Sequence, residues 1–335
     1  MKRLLYFAYF VKTTDYKRLL NSFQDVKGQH GLSYPRLFRD MIYSAFRYGA
    51  SFHDYFMFEF YKKDHDSKDA YLTTSGSYEF YTSLNDRGKI MIFENKNEFN
   101  KVFKSFISRE HLFLEDCDVG VFDVWLDGKT HIVAKPHKGV AGKGIQKIKV
   151  KKYSKQLYRY LLQENLLLVE DCIVQHPKMD KLNPASVNTI RIITVNHNGQ
   201  IDIVGAILRM GTGNFVDNFS AGGIAAPIDL ATGKVFRSAI SKYELQRYEC
   251  HPVTKHRIKG FQIPFWDECL DMVVSASKII PSVRTVGWDI AITEGGPEMI
   301  EGNHNWNKDS FQLPYGEGRR ALLEKYIKKT MNGKR

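Results

Sequence analysis

Cysteine is scarce. Cys117, Cys172, Cys250 and Cys269 stand far apart in 335 residues, with no CxxC pair. That spacing does not suggest a disulfide framework or a structural zinc site, and it suits a reducing compartment. The nearest approach to a soft-metal cluster, "CHPVTKH" at 250–256, lacks a second pair of ligands. Long apolar runs are missing as well, none reaching the ~20 residues that a membrane-spanning helix needs. The opening "MKRLLYFAYFVKTTDYKR" has the basic start of a signal peptide. Its apolar part, however, is short, aromatic and closed by Lys12, with no small-residue cleavage site after it. The expected location is therefore cytoplasmic. No repeat or low-complexity segment is seen either.

What remains is a globular composition: 43% hydrophobic, 26% charged and 13% aromatic, enough for two or three cores. A formal net charge of +12 favours anionic partners such as nucleotides, acidic sugars, lipid headgroups or nucleic acid. The basic residues are dispersed and no RNA or DNA motif accompanies them, so nucleic acid is not expected. The tail "RRALLEKYIKKTMNGKR" is locally dense in charge. It reads as an amphipathic helix that either rests on an anionic membrane or is simply solvated.

Residues 1 to about 85 are rich in Tyr and Phe, with helical spacing in "YPRLFRDMIYSAFRYG" and "FHDYFMFEFYKK". They predict a mostly helical N-terminal subdomain with an aromatic core, closed by the turn "SLNDRGK". From residue 86 onward strands and helices alternate. "THIVAK" and "IQKIKV" read as strands around a Gly-rich loop, and "YSKQLYRYLLQE" as a helix. "NLLLVEDCIVQ" continues as a strand. "VNTIRIITVNHNGQIDIVGAILRMG" is two strands across an Asn-Gly turn, and "FWDECLDMVVSASKII" is a helix. The class is α+β with antiparallel sheets, not a doubly wound βαβ fold.

Two stretches carry chemistry. In "VGWDIAITEGGPEMIEGNHNW" (286–306) a hairpin turn at Glu294-Gly295-Gly296 sets Asp289 opposite Glu301, each six residues from Gly295. Period-two alternation adds Asn303 to that face and sends Ile290, Ile292 and Ile300 into a core. Such acids either face water or hold a hard cation, and oxygen ligands without Cys or His suit Mg²⁺. In "KPHKGVAGKGI" (135–145), Lys135 ends a strand beside Gly139, Gly142 and Gly144. Glycines there let successive backbone N–H groups point at an anion. The loop is neither a P-loop, since Gly144 follows Lys143, nor a dinucleotide fingerprint, since a strand follows it. Alone, it is equally an ordinary flexible hairpin.

Together with "VQHPKMDKLNPASVNTIRIIT" and "RMGTGNFVDNFSAGGIAAPID", these segments resemble the ATP-grasp superfamily, in its sugar-transfer-associated branch. The resemblance covers residues 86 to 315 and implies two α+β subdomains gripping ATP. The expected cover subdomain spans about 120–172 and the metal and substrate subdomain about 173–315, followed by a basic helix at 316–335. It further implies ATP and a pair of Mg²⁺ ions as cofactors. Asp289, Glu301 and Asn303 would be the metal ligands. Lys96 (in "ENKNEF", with Asn95 where Asp is usual) and Lys135 would hold phosphate under the loop of Gly139, Gly142 and Gly144. Glu170, Cys172 and Ile173 fall at the adenine hinge. No clear ribose carboxylate follows them, so Gln175 or His176 is expected to take that contact. Arg191 would face the reacting phosphate, and Arg209 and Asn218 the substrate. The activity so implied is a carboxylate–amine (or carboxylate–thiol) ligase working through an acyl phosphate, with small-molecule or saccharide substrates from surface polysaccharide assembly. A sugar or lipid-linked kinase is the alternative.

Overall fold

A computed structural model describes residues 2–136, 144–150, 154–213 and 219–332. Its contacts divide the chain into two compact units. The first comprises Met1–Leu84, Lys242–Gln246 and Asn307–Arg335; the second comprises Asn85–Ser241 and Arg247–Trp306.

The first unit is helical. Its N-terminal part holds α1 (Lys2–Thr13), α2 (Tyr16–His30), α3 (Tyr34–Tyr48), α4 (Phe52–Met57), α5 (His65–Asp69) and α6 (Thr74–Leu84). Local chemistry sets the ends. Asp15 accepts a hydrogen bond from Arg18 N at the start of α2, and Ser51 with Asp54 forms a reciprocal capping box on α4. "FHDYFMFEFYKK" is not one helix: Glu59 adopts φ +51, and a short 3₁₀ turn (Phe60–Lys62) follows. The expected aromatic core is present, with Phe10, Phe52, Phe58, Phe60 and Phe80 all buried. The C-terminal helix (Ala321–Asn332) turns Leu323 and Tyr326 into this unit, 1% and 2% exposed.

The second unit holds two sheets whose strands, among the described residues, all pair antiparallel. The smaller has order β1-β4-β2-β3, from β1 (His111–Phe113), β2 (His131–Lys135), β3 (Gln146–Lys149) and β4 (Leu168–Asp171). It begins upstream of residue 120 because His111–Phe113 pairs with β4. Helices Val119–Leu126 and Ser154–Gln163 pack on it through Phe122, Leu126 and Leu161 against Ile132, Ala134 and Val169.

The larger sheet has order β11-β10-β5-β6-β7-β8-β9. Its strands are β5 (Thr189–His197), β6 (Gln200–Met210), β7 (Ile224–Pro227), β8 (Ala239–Ser241), β9 (Arg247–Tyr248), β10 (Thr285–Thr293) and β11 (Gly296–Asn303). The Asn198-Gly199 turn between β5 and β6 has φ +53 and +88, the doubly positive geometry that Asn-Gly accepts at least cost. One face of this sheet buries Ile190, Ile192, Leu208, Trp288, Ile290 and Met299 in a core with helix Trp266–Ala276. Alternation turns Arg191 and Asp289 to the opposite face.

Candidate active site

The β10–β11 hairpin is the hinge of the geometry. Its turn is closed by Thr293 opposite Gly296, and Asp289 lies opposite Glu301. Between them the register shifts: Ile290 pairs with Met299, so Ile300 is an extra, bulged residue. The expectation that Ile300 points to the core therefore fails. Met299, fully buried, takes that place, and Ile300 is half-buried. The bulge also resets parity. Glu298, three residues from Glu301, pairs with Ala291 and so returns to the face that carries Asp289.

β10 lies between β11 and β5, and the registers set Glu301, Asp289 and Arg191 in one row across three strands. Arg191 grips Asp289 with both arms, Nε to Oδ1 and Nη2 to Oδ2, each at 2.6 Å. Arg209, on β6, adds a bond from Nη1 to Oδ2 at 2.9 Å. Burial alone would raise the pKa of the Asp289 carboxyl; Arg191 and then Arg209 outweigh it and hold the group below the ordinary aspartate value.

Glu301 is treated differently. It lies 4.0 Å from Arg191 Nη2, and 45% of its side chain meets solvent. Its pKa is pushed up, by loss of surrounding water and by the charge of Asp289. The exposure limits the first effect, so the neighbouring carboxylate is the cause that the geometry supports. Asn303 donates Nδ2 to Glu301 Oε1 (3.2 Å) and to the Gly287 carbonyl (3.4 Å), which leaves its amide oxygen as a donor for a cation. Gly287 itself allows this closeness: a Cβ there would sit 2.6 Å from Trp306 Cβ and 3.5 Å from Arg191 Cδ.

A second cluster stands on the small sheet. Glu170, on β4, is 2% exposed and ion-paired to Lys135 at the end of β2, its diagonal neighbour. Arg109 donates Nη2 to Glu170 Oε1 (3.0 Å) and Nη1 to Glu298 Oε1 (2.9 Å) and to the Met299 carbonyl (2.8 Å). It therefore ties the small sheet to β11. Burial would raise the pKa of Glu170, but Arg109 and Lys135 hold it well below the usual carboxylate range. Lys96 lies within electrostatic reach of both clusters. Burial lowers its pKa, Glu301 and Glu170 pull it up, and Lys135 pushes it down. Lys96, Lys135, Glu170, Arg191, Arg209, Asp289, Glu301 and Asn303 thus belong to one charged region of the second unit.

The family model for sugar-transfer associated ATP-grasp proteins matches residues 75–328. The chain belongs to that family. Its fold is the ATP-grasp fold, with a helical N-terminal region added. Nothing among curated proteins matches it. Many solved structures are similar at low identity, and three of them serve as examples. One is the ATP-grasp ligase PsnB with a minimal precursor, at 15% identity, 74% of this chain, 63% of that one and TM-score 0.43. The D-alanine–D-alanine ligase from Bacillus anthracis follows at 12%, 73%, 70% and 0.42. PsnB with precursor, Mg and ADP gives 13%, 74%, 62% and 0.42. This chain thus spans less than two thirds of the length of either PsnB chain.

Membership gives the neighbouring residues a frame. Asn95, where the family's dipeptide usually has Asp, caps the helix Lys96–Val102, its side-chain oxygen accepting from Asn97 N and Glu98 N. Asn and Asp are equivalent in that task, so the exchange leaves Lys96 in place. Cys172 and Ile173 follow β4 and are half-buried. Gln175 does not stand ready for ribose. Its Nε2 donates to the Asn183 and Ser186 carbonyls, and its Oε1 accepts from Asn188 N and Nδ2, so its amide is fully engaged in a buried loop network. The half-buried His176 uses Nδ1 to accept from Lys178 N. Gly144 is present with φ +79, whereas Gly139, Gly142 and Asn218 lie outside the described residues.

The donor set fits a hard divalent ion. Among the described residues no cluster of three or more Asp, Glu, His or Cys forms a metal site. The candidate set is instead two carboxylates and an amide oxygen. Asp289 and Glu301 stand opposite each other on the hairpin with Asn303 beside them, and oxygen donors of this kind suit a hard divalent ion.

Proposed function

We propose that this chain is an ATP-dependent carboxylate–amine (or carboxylate–thiol) ligase that works through an acyl phosphate. The observation that carries the reading is the row Glu301–Asp289–Arg191, with Arg209 beside it. In it, two guanidinium groups converge on Asp289 and leave the adjoining Glu301 carboxylate 4.0 Å from the nearer of them. Asp289, Glu301 and Asn303 would hold Mg²⁺, two ions in the full site, and the metal would neutralise charge on the phosphates of ATP. PsnB was solved with Mg and ADP, and the same cofactors are proposed here.

The chain's own residues then divide the work. Lys96 and Lys135 hold phosphate oxygens, and Glu170, kept ionised by Arg109, fixes where the Lys135 ammonium points. Arg191 stabilises charge on the transferring phosphoryl group, and Arg209 orients the acceptor carboxylate. In the first step a carboxylate oxygen of the substrate bonds to the γ-phosphorus, the β,γ-bridging P–O bond breaks, and ADP leaves. In the second an amine nitrogen attacks the acyl carbon, the C–O bond to phosphate breaks, and the amine loses a proton. Cys172 and Ile173 would meet the adenine.

The substrates we propose are an amino acid or similar acid and a sugar used in surface polysaccharide assembly, in keeping with the family's sugar-transfer association. A cytoplasmic location is proposed with it, and the four cysteines are unpaired thiols. Among the described residues no helix is long and apolar enough to cross a membrane.

The test is ATP consumption with Mg²⁺ across amino acids, amino sugars and uronic acids, following free phosphate and product mass together. Ligation gives phosphate and a product lighter by one water than its two substrates combined. A phosphorylated acceptor without phosphate release would make the enzyme a kinase and remove the acyl phosphate.

A further inference from the structure

We infer that the outer face of α1 and the start of α2 form a docking surface for an anionic lipid bilayer. Large apolar side chains stand in solvent there: Leu4 63%, Leu5 67%, Tyr9 56%, Val11 39%, Tyr16 53% and Leu20 62% exposed. α1 already has a packed side. Tyr6, Phe7 and Phe10 share one face and make ring contacts with Tyr78, Phe46 and Phe52. An ordinary surface helix turns polar residues outward once one face is packed; this one turns out leucines. The Tyr16 hydroxyl donates to the Val11 carbonyl at 2.7 Å, so its ring continues the α1 surface onto α2, and Leu20 follows one turn later.

The charge around that surface is of one sign. Residues 2–20 hold Lys2, Arg3, Lys12, Lys17 and Arg18 against a single acid, Asp15. Asp15 is engaged at the N-terminus of α2, and Lys2 is paired with Glu79 at 2.8 Å. Arg3, Lys12 and Lys17 are exposed and have no ion-pair partner among the described residues.

An apolar face rimmed by Lys and Arg, with tyrosines among the leucines, matches the headgroup boundary of a membrane. Apolar groups enter the acyl region there, Tyr sits at headgroup level, and the cations meet lipid phosphate. A second copy of this chain is a poorer occupant, because a two-fold contact would press the same basic rim against itself. The C-terminal helix, which the sequence offered for membrane contact, has Leu323 and Tyr326 turned into its own unit.

The test is flotation of the full chain with vesicles of phosphatidylcholine alone and of phosphatidylcholine mixed with phosphatidylglycerol, at low and high salt. The chain should float with the anionic vesicles only, less so as salt rises. Leu4→Asp with Leu5→Asp should lower partitioning about 100-fold. Lys12→Glu with Lys17→Glu should lower it about tenfold or more. All four side chains are exposed, so unchanged thermal melts would confirm that the variants fold. Equal flotation of wild type and the double-Asp variant would overturn the proposal, as would no flotation with anionic vesicles. A concentration-dependent dimer in sedimentation, lost in the same variant and unaccompanied by flotation, would assign the face to a second copy and overturn it equally.

Discussion

A cluster of two acids and two bases in the helical unit and the Arg191–Arg209–Asp289–Glu301 cluster of the sheet unit are wired differently. In the helical unit, Lys308 bridges Asp54 (2.6 Å) and Asp309 (2.5 Å), and Lys242 takes the other side of Asp309 (2.9 Å). Asp54 also accepts from Ser51 N (3.0 Å) and Thr74 N (2.7 Å). Every carboxylate there is gripped and all four residues are largely buried. In the sheet unit, Arg191 and Arg209 both converge on Asp289 and leave Glu301 at 4.0 Å, 45% exposed. Equal numbers of charges thus give a closed cluster in one unit and an open one in the other. The uneven share of partners at Glu301 is what the proposed metal site rests on.

Substitutions can break that contrast. The largest effect is expected from Glu301→Ala: Mg-dependent ATP consumption should fall about 1000-fold or more, with folding stability within about 1 kcal/mol of wild type. Retained turnover would remove Glu301 from the metal site. Next, Asp54→Ala leaves Lys308 with one acid fewer in a buried place and should cost about 3–5 kcal/mol in denaturant unfolding. ATP binding per folded molecule should be unchanged. A cost under about 1 kcal/mol would mean that the closed cluster is no more structural than a surface pair.

Acid offers a milder comparison. Asp309 and Glu170 are both held below their ordinary values of 3.8 and 4.5 by neighbouring cations that outweigh burial. Their stabilisation is therefore complete above those ordinary values and is lost as pH falls through the depressed ones. Urea midpoints should decline in that acid range, and Asp309→Asn should flatten the decline. The smallest effect concerns Lys96. Asn95→Asp should change stability by only a few tenths of a kcal/mol and leave the KM for ATP alone, whereas Asn95→Ala should cost about 1 kcal/mol and raise that KM.

Much of this arrangement was legible in the sequence, for identifiable reasons. Period-two alternation and the Gly-Gly turn placed Asp289 opposite Glu301, and the structure pairs them. The symmetric count works because the bulge at Ile300 compensates for a turn centred between Glu294 and Gly295 rather than on Gly295. The same bulge hid Glu298, since strict alternation sends it to the core face. Arg109 was hidden because it precedes β1 in an irregular segment, where no periodicity marks direction; its role appears only once Glu170 and Glu298 are adjacent in space. Gln175 misled for a related reason, as its partners Asn183, Ser186 and Asn188 lie in a loop whose path no pattern predicts. Aromatic spacing marked a helical core in the first 85 residues but did not say which side of α1 would be covered.

The helical unit is assembled from three separated segments of chain, and this sets an order of events during synthesis. Leu72 exchanges both of its backbone hydrogen bonds with the Gln312 amide, at 2.7 and 3.0 Å. Gly318 lies so close to Ala70 that a Cβ would fall 2.4 Å from its carbonyl carbon. Leu323 and Tyr326 complete the packing. The helices of residues 2–84 are thus finished by residues made only after the sheet unit that follows them. The whole sheet unit is made in the interval, reversing the usual N-terminal-first sequence of domain folding. A stop anywhere before residue 307 therefore leaves the helices of residues 2–84 without their closing wall.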